Sequence, residues 1–306
     1  MYKVENLYPH YKQAVKIEWN LGKRCNYDCS YCPTEIHDNH SEHQDITVLK
    51  NTADKLTTLI SNKKLRISFT GGEPCVHPNL VELLQHIRPK VSWINITSNG
   101  TRPADYYQKL LSDYVDHMVF SVHLEYNYKR VLDSIIKAYK GSNNKNVLVH
   151  LMMLPGRLND VKTVCAELKE IGIRYALRPI RWTESHDNFV DMEKYSKAER
   201  KFLDKENHTP PKNTIIDGTR QCNVNDLLIE KINQFKGWQC QAGVESLMIN
   251  WDGDVHRATC RVGGSLGNIY NNTFILPTEF IVCTRDWCTC AADINITKEK
   301  ICRYTA

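Results

Sequence analysis

The sequence predicts an α/β protein built on a parallel sheet, followed by a small separate module at the C-terminal end. Three observations predict it. Strand-like and helix-like segments alternate six times between residues 15 and 182. The rhythm then breaks, and residues 183–236 read as a polar, charged bridge. Five of the twelve cysteines fall between residues 240 and 290, around a hairpin signature. Alternating units of this kind form parallel sheets covered by helices. Right-handed crossovers curl such a repeat toward a barrel, and six units are too few to close an eight-stranded one.

The elements follow in order. Residues 15–21 form the first strand. Ile46, Leu49, Ala53, Leu56 and Ile60 fall at helical spacing, with Asp45 as N-cap. Strands over 65–70, 91–97, 117–122, 147–154 and 173–180 are each preceded by a helix, the last carrying Val161, Val164, Leu168 and Ile171 on one face. In the bridge, 192–206 is a charged helix, Thr209-Pro210-Pro211-Lys212 is a break, and 226–235 is a further helix. Cys222 stands alone there. Residues 247–250 and 255–259 are short strands flanking the turn Trp251-Asp252-Gly253-Asp254. The expected divisions are 1–182, 183–236 and 237–306.

Composition narrows the function. Hydrophobic residues are 42 % and charged residues 25 %, as in ordinary globular chains. No apolar run reaches the roughly 20 residues of a membrane span, and the polar, aromatic start is not a signal peptide. The expectation is a cytoplasmic protein, in which many cysteines mean metal rather than disulfides. The net charge of +5 comes without a basic block, so nucleic acid is not an expected partner.

Cys25, Cys29 and Cys32 stand at C-x3-C-x2-C spacing directly after the first strand. Such thiolate density holds an iron–sulfur cluster or another metal. Three ligands leave one coordination position open, the usual mark of a catalytic site. Zinc completed by His37, His40 or His43 is the alternative; these histidines otherwise read as a solvated loop. After the second strand comes Thr70-Gly71-Gly72-Glu73-Pro74, where paired glycines permit a close approach of the backbone.

The cysteine triplet with Tyr31 before its last member, and the Gly-Gly-Glu-Pro segment behind it, resemble the radical S-adenosylmethionine (SAM) enzymes. The resemblance covers roughly 15–182 and implies a partial (β/α)6 barrel, open on one side. It implies a [4Fe–4S] cluster on Cys25, Cys29 and Cys32, with SAM chelating the fourth iron. One electron then cleaves SAM to methionine and a 5′-deoxyadenosyl radical, which abstracts a hydrogen atom from substrate. The electron would come from an external donor such as flavodoxin or ferredoxin. Gly71, Gly72, Glu73 and Pro74 match the motif that holds the SAM amino group. Ser98 and Asn99, in Thr97-Ser98-Asn99-Gly100, match a further SAM segment, and Ser121 and His123 resemble ribose- and carboxylate-contacting positions. Arg178, at a strand end, offers a bidentate partner for a carboxylate of SAM or substrate; Arg157 is a weaker candidate. Cys75 reads as a buried spectator thiol.

Residues 237–292 resemble the SPASM and twitch extensions of that family: Cys240, a hairpin with an Asp-Gly turn, Cys260, then Gly267-Asn268-Ile269 and late cysteines. The late spacing of Cys283, Cys288 and Cys290 departs from the usual pattern, and Cys302 makes a sixth cysteine in this part of the chain. Ligands suffice for one auxiliary [4Fe–4S] cluster, with zinc as the alternative, and at most four of the five cysteines serve. Only about fourteen residues precede the first strand, which tilts the expected substrate toward a small molecule and away from a peptide held by a leader-binding domain. A peptide maturase is the second reading, and a non-catalytic iron–sulfur or zinc carrier the third.

Overall fold

The computed structural model describes residues 3–7, 13–180, 192–207, 214–216, 220–222, 224, 227 and 231–300. Its elements are β1 (Lys3–Asn6), β2 (Ala14–Asn20), α1 (Ile46–Leu59), β3 (Lys64–Thr70), α2 (Leu80–Ile87), β4 (Trp93–Ser98), α3 (Ala104–Asp113), β5 (His117–His123), α4 (Tyr128–Gly141), β6 (Val147–Met153), α5 (Leu158–Ile171) and β7 (Arg174–Pro179). The remainder comprises α6 (Lys197–Asn207), β8 (Thr214–Ile216), β9 (Arg220–Cys222), β10 (Gln239–Cys240), β11 (Ser246–Ile249), β12 (Asp254–His256), β13 (Ser265–Asn268), β14 (Ile281–Val282), α7 (Ala291–Ile294) and β15 (Lys298–Glu299). The break at 209–212, the polar stretch 183–188 and Cys302 lie outside the described residues, as does the Cys222 side chain.

Strands β2 to β7 run parallel in chain order, as the repeat predicts. They form an open sheet curled as a partial barrel. Side chains alternate across each strand. Ile17, Trp19, Ile67, Phe69, Ile94, Ile96, Phe120 and Leu151 face the helices and are buried in the main core with Leu49, Leu56, Leu84 and Leu168. Asp45 caps α1 as expected, its carboxylate accepting from the N–H groups of Thr47 and Val48 at 2.7 and 3.3 Å.

The other face of the sheet is polar. Register aligns Lys16 with Arg66, Glu18 with Ser68, Asn95 with His117, and Ser121 with His150. Ser68 Oγ accepts from Asn95 Nδ2 at 2.8 Å, and Lys16 pairs with Glu18 at 2.8 Å. A core used only for packing would be apolar on both faces of a parallel sheet. This face is therefore suited to a polar ligand.

The sheet continues past the repeat. Strand β11 pairs parallel with β2, from Ser246 opposite Lys16 to Ile249 opposite Trp19, and β12 and β13 follow antiparallel. The predicted hairpin thus extends the barrel sheet, and Leu247, Ile249 and Val255 join the main core. A second sheet has the order β14-β10-β15-β1-β8-β9. The chain's first strand lies inside it, between β15 and β8. Of the helix expected over 226–235, residues 226 and 228–230 lie outside the described residues, and Leu227 is helical. At 232–235 the chain is not helical; Asn233 is fully buried there and binds Cys288 through main-chain and side-chain groups.

Candidate cofactor site

Cys25, Cys29 and Cys32 lie on the loop that leaves the C-terminal end of β2. Cys25 N–H donates to Asp38 O at 2.6 Å, and Cys32 N–H to Cys29 O at 2.9 Å. The Sγ of Cys25 accepts from Tyr27 N–H at 3.4 Å and from Asn99 Nδ2 at 3.9 Å. Three neighbouring strand ends strap the loop down. From β3, Gly72 N–H donates to Gly22 O at 2.8 Å and Glu73 N–H to Arg24 O at 2.9 Å. After β4, Asn99 Nδ2 also donates to Asn26 Oδ1 at 2.8 Å. At the end of β5, His123 Nδ1 lies 2.7 Å from the Tyr31 hydroxyl and 3.4 Å from Cys29 Sγ.

The glycine pair is packed against protein backbone. A Cβ on Gly72 would collide with the carbonyl oxygens of Lys23 and Arg24, and one on Gly71, at φ +122°, would lie 2.5 Å from Gly22 O. Glu73 is buried. Its carboxylate accepts from Cys75 N–H at 2.8 Å and from Asn99 N–H at 2.5 Å, so it joins the turn beginning at Pro74 to the end of β4. Burial raises its pKa, which those N–H groups partly offset. Ser98 turns away from the cysteine loop, with Oγ bonded to the Tyr107 hydroxyl at 2.9 Å. Cys75 is buried in the main core.

Burial holds His123 down to about 4, so the imidazole is neutral, with its Nδ1 hydrogen-bonded to the Tyr31 hydroxyl. Ser121 lies on the same polar face, one pair deeper and opposite His150. Arg178 stands opposite Met152, which is itself opposite His123, and Arg178 Nη2 lies 3.0 Å from His150 Nε2. Burial and that guanidinium keep His150 neutral. Arg157 instead pairs with Asp160 at 2.5 Å at the start of α5.

Three loop contacts escaped the sequence reading. Tyr27 and Tyr126 stack with centroids 3.8 Å apart, Tyr126 accepts from Asp28 N–H at 2.6 Å, and Glu125 accepts from Ser30 N–H at 3.1 Å. Glu125 and Tyr126 lie just past β5, after Leu124, and a strand's C-terminal end is the signal that could have found them. His37, expected in a solvated loop, is buried and closes the loop between Pro33 O at 3.0 Å and Asp28 at 3.2 Å. Of the other two histidines, His40 is exposed and His43 packs on His77 with centroids 4.8 Å apart.

The C-terminal cysteines divide. Cys240, Cys283, Cys288 and the part-buried Cys260 share the second apolar cluster. Cys260 N–H donates to Asp293 Oδ2 at 2.7 Å, and Cys283 N–H to Trp238 O at 2.8 Å. Cys290 begins α7 outside that cluster; Asp293, Glu18 and Lys16 are its charged neighbours.

The donor chemistry suits iron–sulfur clusters. Burial first, then neighbouring negative charge, pushes Cys29 up to about 12 and Cys32 up to about 11, and burial also raises Cys25. Burial and Asp293 push Cys260 up to about 12. Thiols so placed ionise near neutral pH only against a cationic metal centre. Among the described residues, no three His, Cys, Asp or Glu side chains are gathered to hold a single ion.

The barrel, with its cysteine loop above the strand ends, defines a class. The Radical SAM superfamily matches residues 19–180, and the chain belongs to that superfamily of enzymes. Among its relatives is the antilisterial bacteriocin subtilosin biosynthesis protein AlbA of Bacillus subtilis (strain 168), 25 % identical over 86 % of this chain and 59 % of AlbA. A probable GTP 3′,8-cyclase of Pyrococcus abyssi is 28 % identical over 49 % of this chain and 50 % of its own. The chain thus spans between half and three-fifths of these relatives' length. In fold it is similar to Streptococcus suis SuiB bound to S-adenosylmethionine, with TM-score 0.59 and 15 % identity over 85 % of this chain and 64 % of that one.

Proposed function

We propose that this chain is a peptide-modifying radical SAM enzyme that abstracts a hydrogen atom from its substrate. One observation carries the SAM reading: the ends of β3, β4 and β5 each bind the loop bearing Cys25, Cys29 and Cys32. Those thiols would hold a [4Fe–4S] cluster, which when bound supplies the electron that cleaves SAM. Tyr31, Asn99 and His123 fix the loop, while the backbone of Gly71 to Pro74 sets its height above the barrel. The polar sheet face beneath, with Ser121 and the His150–Arg178 pair, would position SAM and substrate and accept a carboxylate.

The peptide reading is supported by the likeness to AlbA, a bacteriocin biosynthesis protein, across 86 % of this chain. It displaces the tilt toward a small molecule, which rested on how few residues precede β2. We place one auxiliary [4Fe–4S] cluster on Cys240, Cys260, Cys283 and Cys288. Cys290 is the spare. The enzyme works in the cytoplasm with a flavodoxin or ferredoxin as reductant; among the described residues no helix is long and apolar enough to cross a membrane.

The test is anaerobic reconstitution with SAM and dithionite. 5′-Deoxyadenosine should form, and should vanish when Cys25, Cys29 and Cys32 are all replaced by Ala; persistence in that variant would sink the reading. Peptides encoded beside the gene, incubated with the enzyme, should lose two hydrogens by mass. The same loss from a small molecule, with every peptide inert, would return the substrate to the other class. Cys290→Ala should keep all auxiliary iron.

A further inference from the structure

Strand β15 lies between β10 and β1, and Lys298 stands directly opposite Cys240 in the ladder. Opposed residues project to the same face of a sheet, about 5 Å apart at Cβ. That face is buried: Lys298 is 2 % exposed and Cys240 4 %. The ammonium therefore sits among the side chains that enclose Cys240, Cys283 and Cys288, 5.2 Å from the centroid of Phe235.

Among the described residues, its hydrogen bonds are all to neutral oxygens. Nζ donates to Asp293 O at 2.5 Å, Ile296 O at 2.9 Å and Ile294 O at 3.3 Å. An ammonium has three donors and no acceptor, so these three carbonyls satisfy it. Carbonyl dipoles solvate a charge without neutralising it. The Asp293 carboxylate, in the same pocket, is turned to the N–H groups of Thr259 and Cys260, at 3.2 and 2.7 Å. The positive charge is thus left to act on the thiols, and it opposes the upward push of burial at Cys240 and Cys288.

Burying an ammonium is unfavourable, and an apolar side chain of similar length would fill the space at less cost. The expense is explained if something anionic belongs beside it. A [4Fe–4S] cluster on four thiolates is an anion in both common oxidation states, and reduction adds one more negative charge. A nearby cation stabilises the reduced form more than the oxidised form, and cluster potentials follow net charge and hydrogen bonding at the sulfurs.

We propose that Lys298 is the built-in counter-charge of the auxiliary cluster, a positioning residue that sets its reduction potential. The proposal rests on the auxiliary-cluster reading of the C-terminal cysteines. The test compares the reconstituted wild type with Lys298→Met, Lys298→Gln and Lys298→Arg by iron analysis and potentiometric electron paramagnetic resonance. The SAM cluster of the same molecule serves as internal reference. About four irons in the wild type, against the expected ~8 for two four-iron clusters, would remove the reading beneath the proposal. With eight present, Met and Gln should lower the auxiliary reduced-to-oxidised ratio at fixed poise about tenfold, which is ~59 mV for one electron. Arg should restore it, and the SAM cluster should not move. An unchanged auxiliary potential in Met or Gln overturns the proposal. If both neutral variants lose the auxiliary iron while Arg keeps it, the charge is needed to hold the cluster, which supports it. Loss in all three, with a lowered melting temperature of the cluster-free chain, assigns Lys298 to carbonyl capping alone and overturns it.

Discussion

Gly72 shows how much rests on one hydrogen atom. The paired glycines are legible in the sequence as a place without room for a side chain, but what approaches them is not, because spacing names no partner. The structure supplies it: the carbonyls of Lys23 and Arg24. Gly72→Ala should therefore spring the cysteine loop and lose about four irons per chain, one cluster's worth. Retained iron with weakened SAM binding would instead place the ligand at that turn. His123 yields a pH dependence. Its folded pKa of about 4 lies below the ordinary 6.5, so the unfolded chain takes up the proton first. The stability it contributes is complete above pH 6.5 and is lost as pH falls toward 4, by at most about 1.4 kcal/mol per pH unit. Denaturant unfolding of the cluster-free chain measures this slope, which His123→Asn should flatten. An identical slope in the variant would clear His123 of the effect.

Among the elements, β2 to β7 were readable because each is a run of apolar residues set off by a helical period. The attachment of the hairpin to β2 was not, since a parallel pairing between residues 230 apart leaves no mark in either segment. Of the helix expected over 226–235, Leu227 is helical but 232–235 is not, for a related reason. Leu227, Leu228, Ile232 and Phe235 have helical spacing, yet Asn233 bonds to Cys288 rather than within a helix, and 232–235 is irregular. The hairpin's own turn makes a prediction. Gly253 has φ +87°, and a Cβ there would strike the Tyr270 ring; the Tyr270 hydroxyl accepts from Trp19 Nε1 at 3.3 Å. Gly253→Ala should cost roughly 1–3 kcal/mol, from left-handed backbone and a displaced ring. Thermal unfolding of the cluster-free chain should show a drop of several degrees; an unmoved transition would mean that the turn relaxes freely.

For the whole molecule, the two sheets divide the work differently from the two motifs. The barrel sheet takes its outer strands from the C-terminal third, while the second sheet takes its inner strand from the start of the chain. Strand β1 was invisible in the sequence because Lys3-Val4-Glu5-Asn6 offers one apolar side chain, Val4, which is fully buried in the second core. Lys298 and Asp293 were equally hidden, as charged residues in an ordinary-looking tail. Removing residues 1–7 should strip β15 and β8 of their shared partner and empty the auxiliary site. Iron should fall from about eight to about four per chain, as two four-iron clusters become one, with 5′-deoxyadenosine still formed. Retention of all eight would show that β1 only covers the second sheet.

The pairing of Lys3 with Glu299 also orders events during synthesis. Strand β1 waits for β15, far later in the chain, whereas β3 to β6 meet both neighbours as the ribosome delivers them. Closing so long a loop is slow. On the proposed function, the nascent chain would accept iron at Cys25, Cys29 and Cys32 while its second sheet is still a set of unpaired edges. An interrupted translation product would hold one cluster and expose those edges, a substrate for proteases rather than a half-active catalyst.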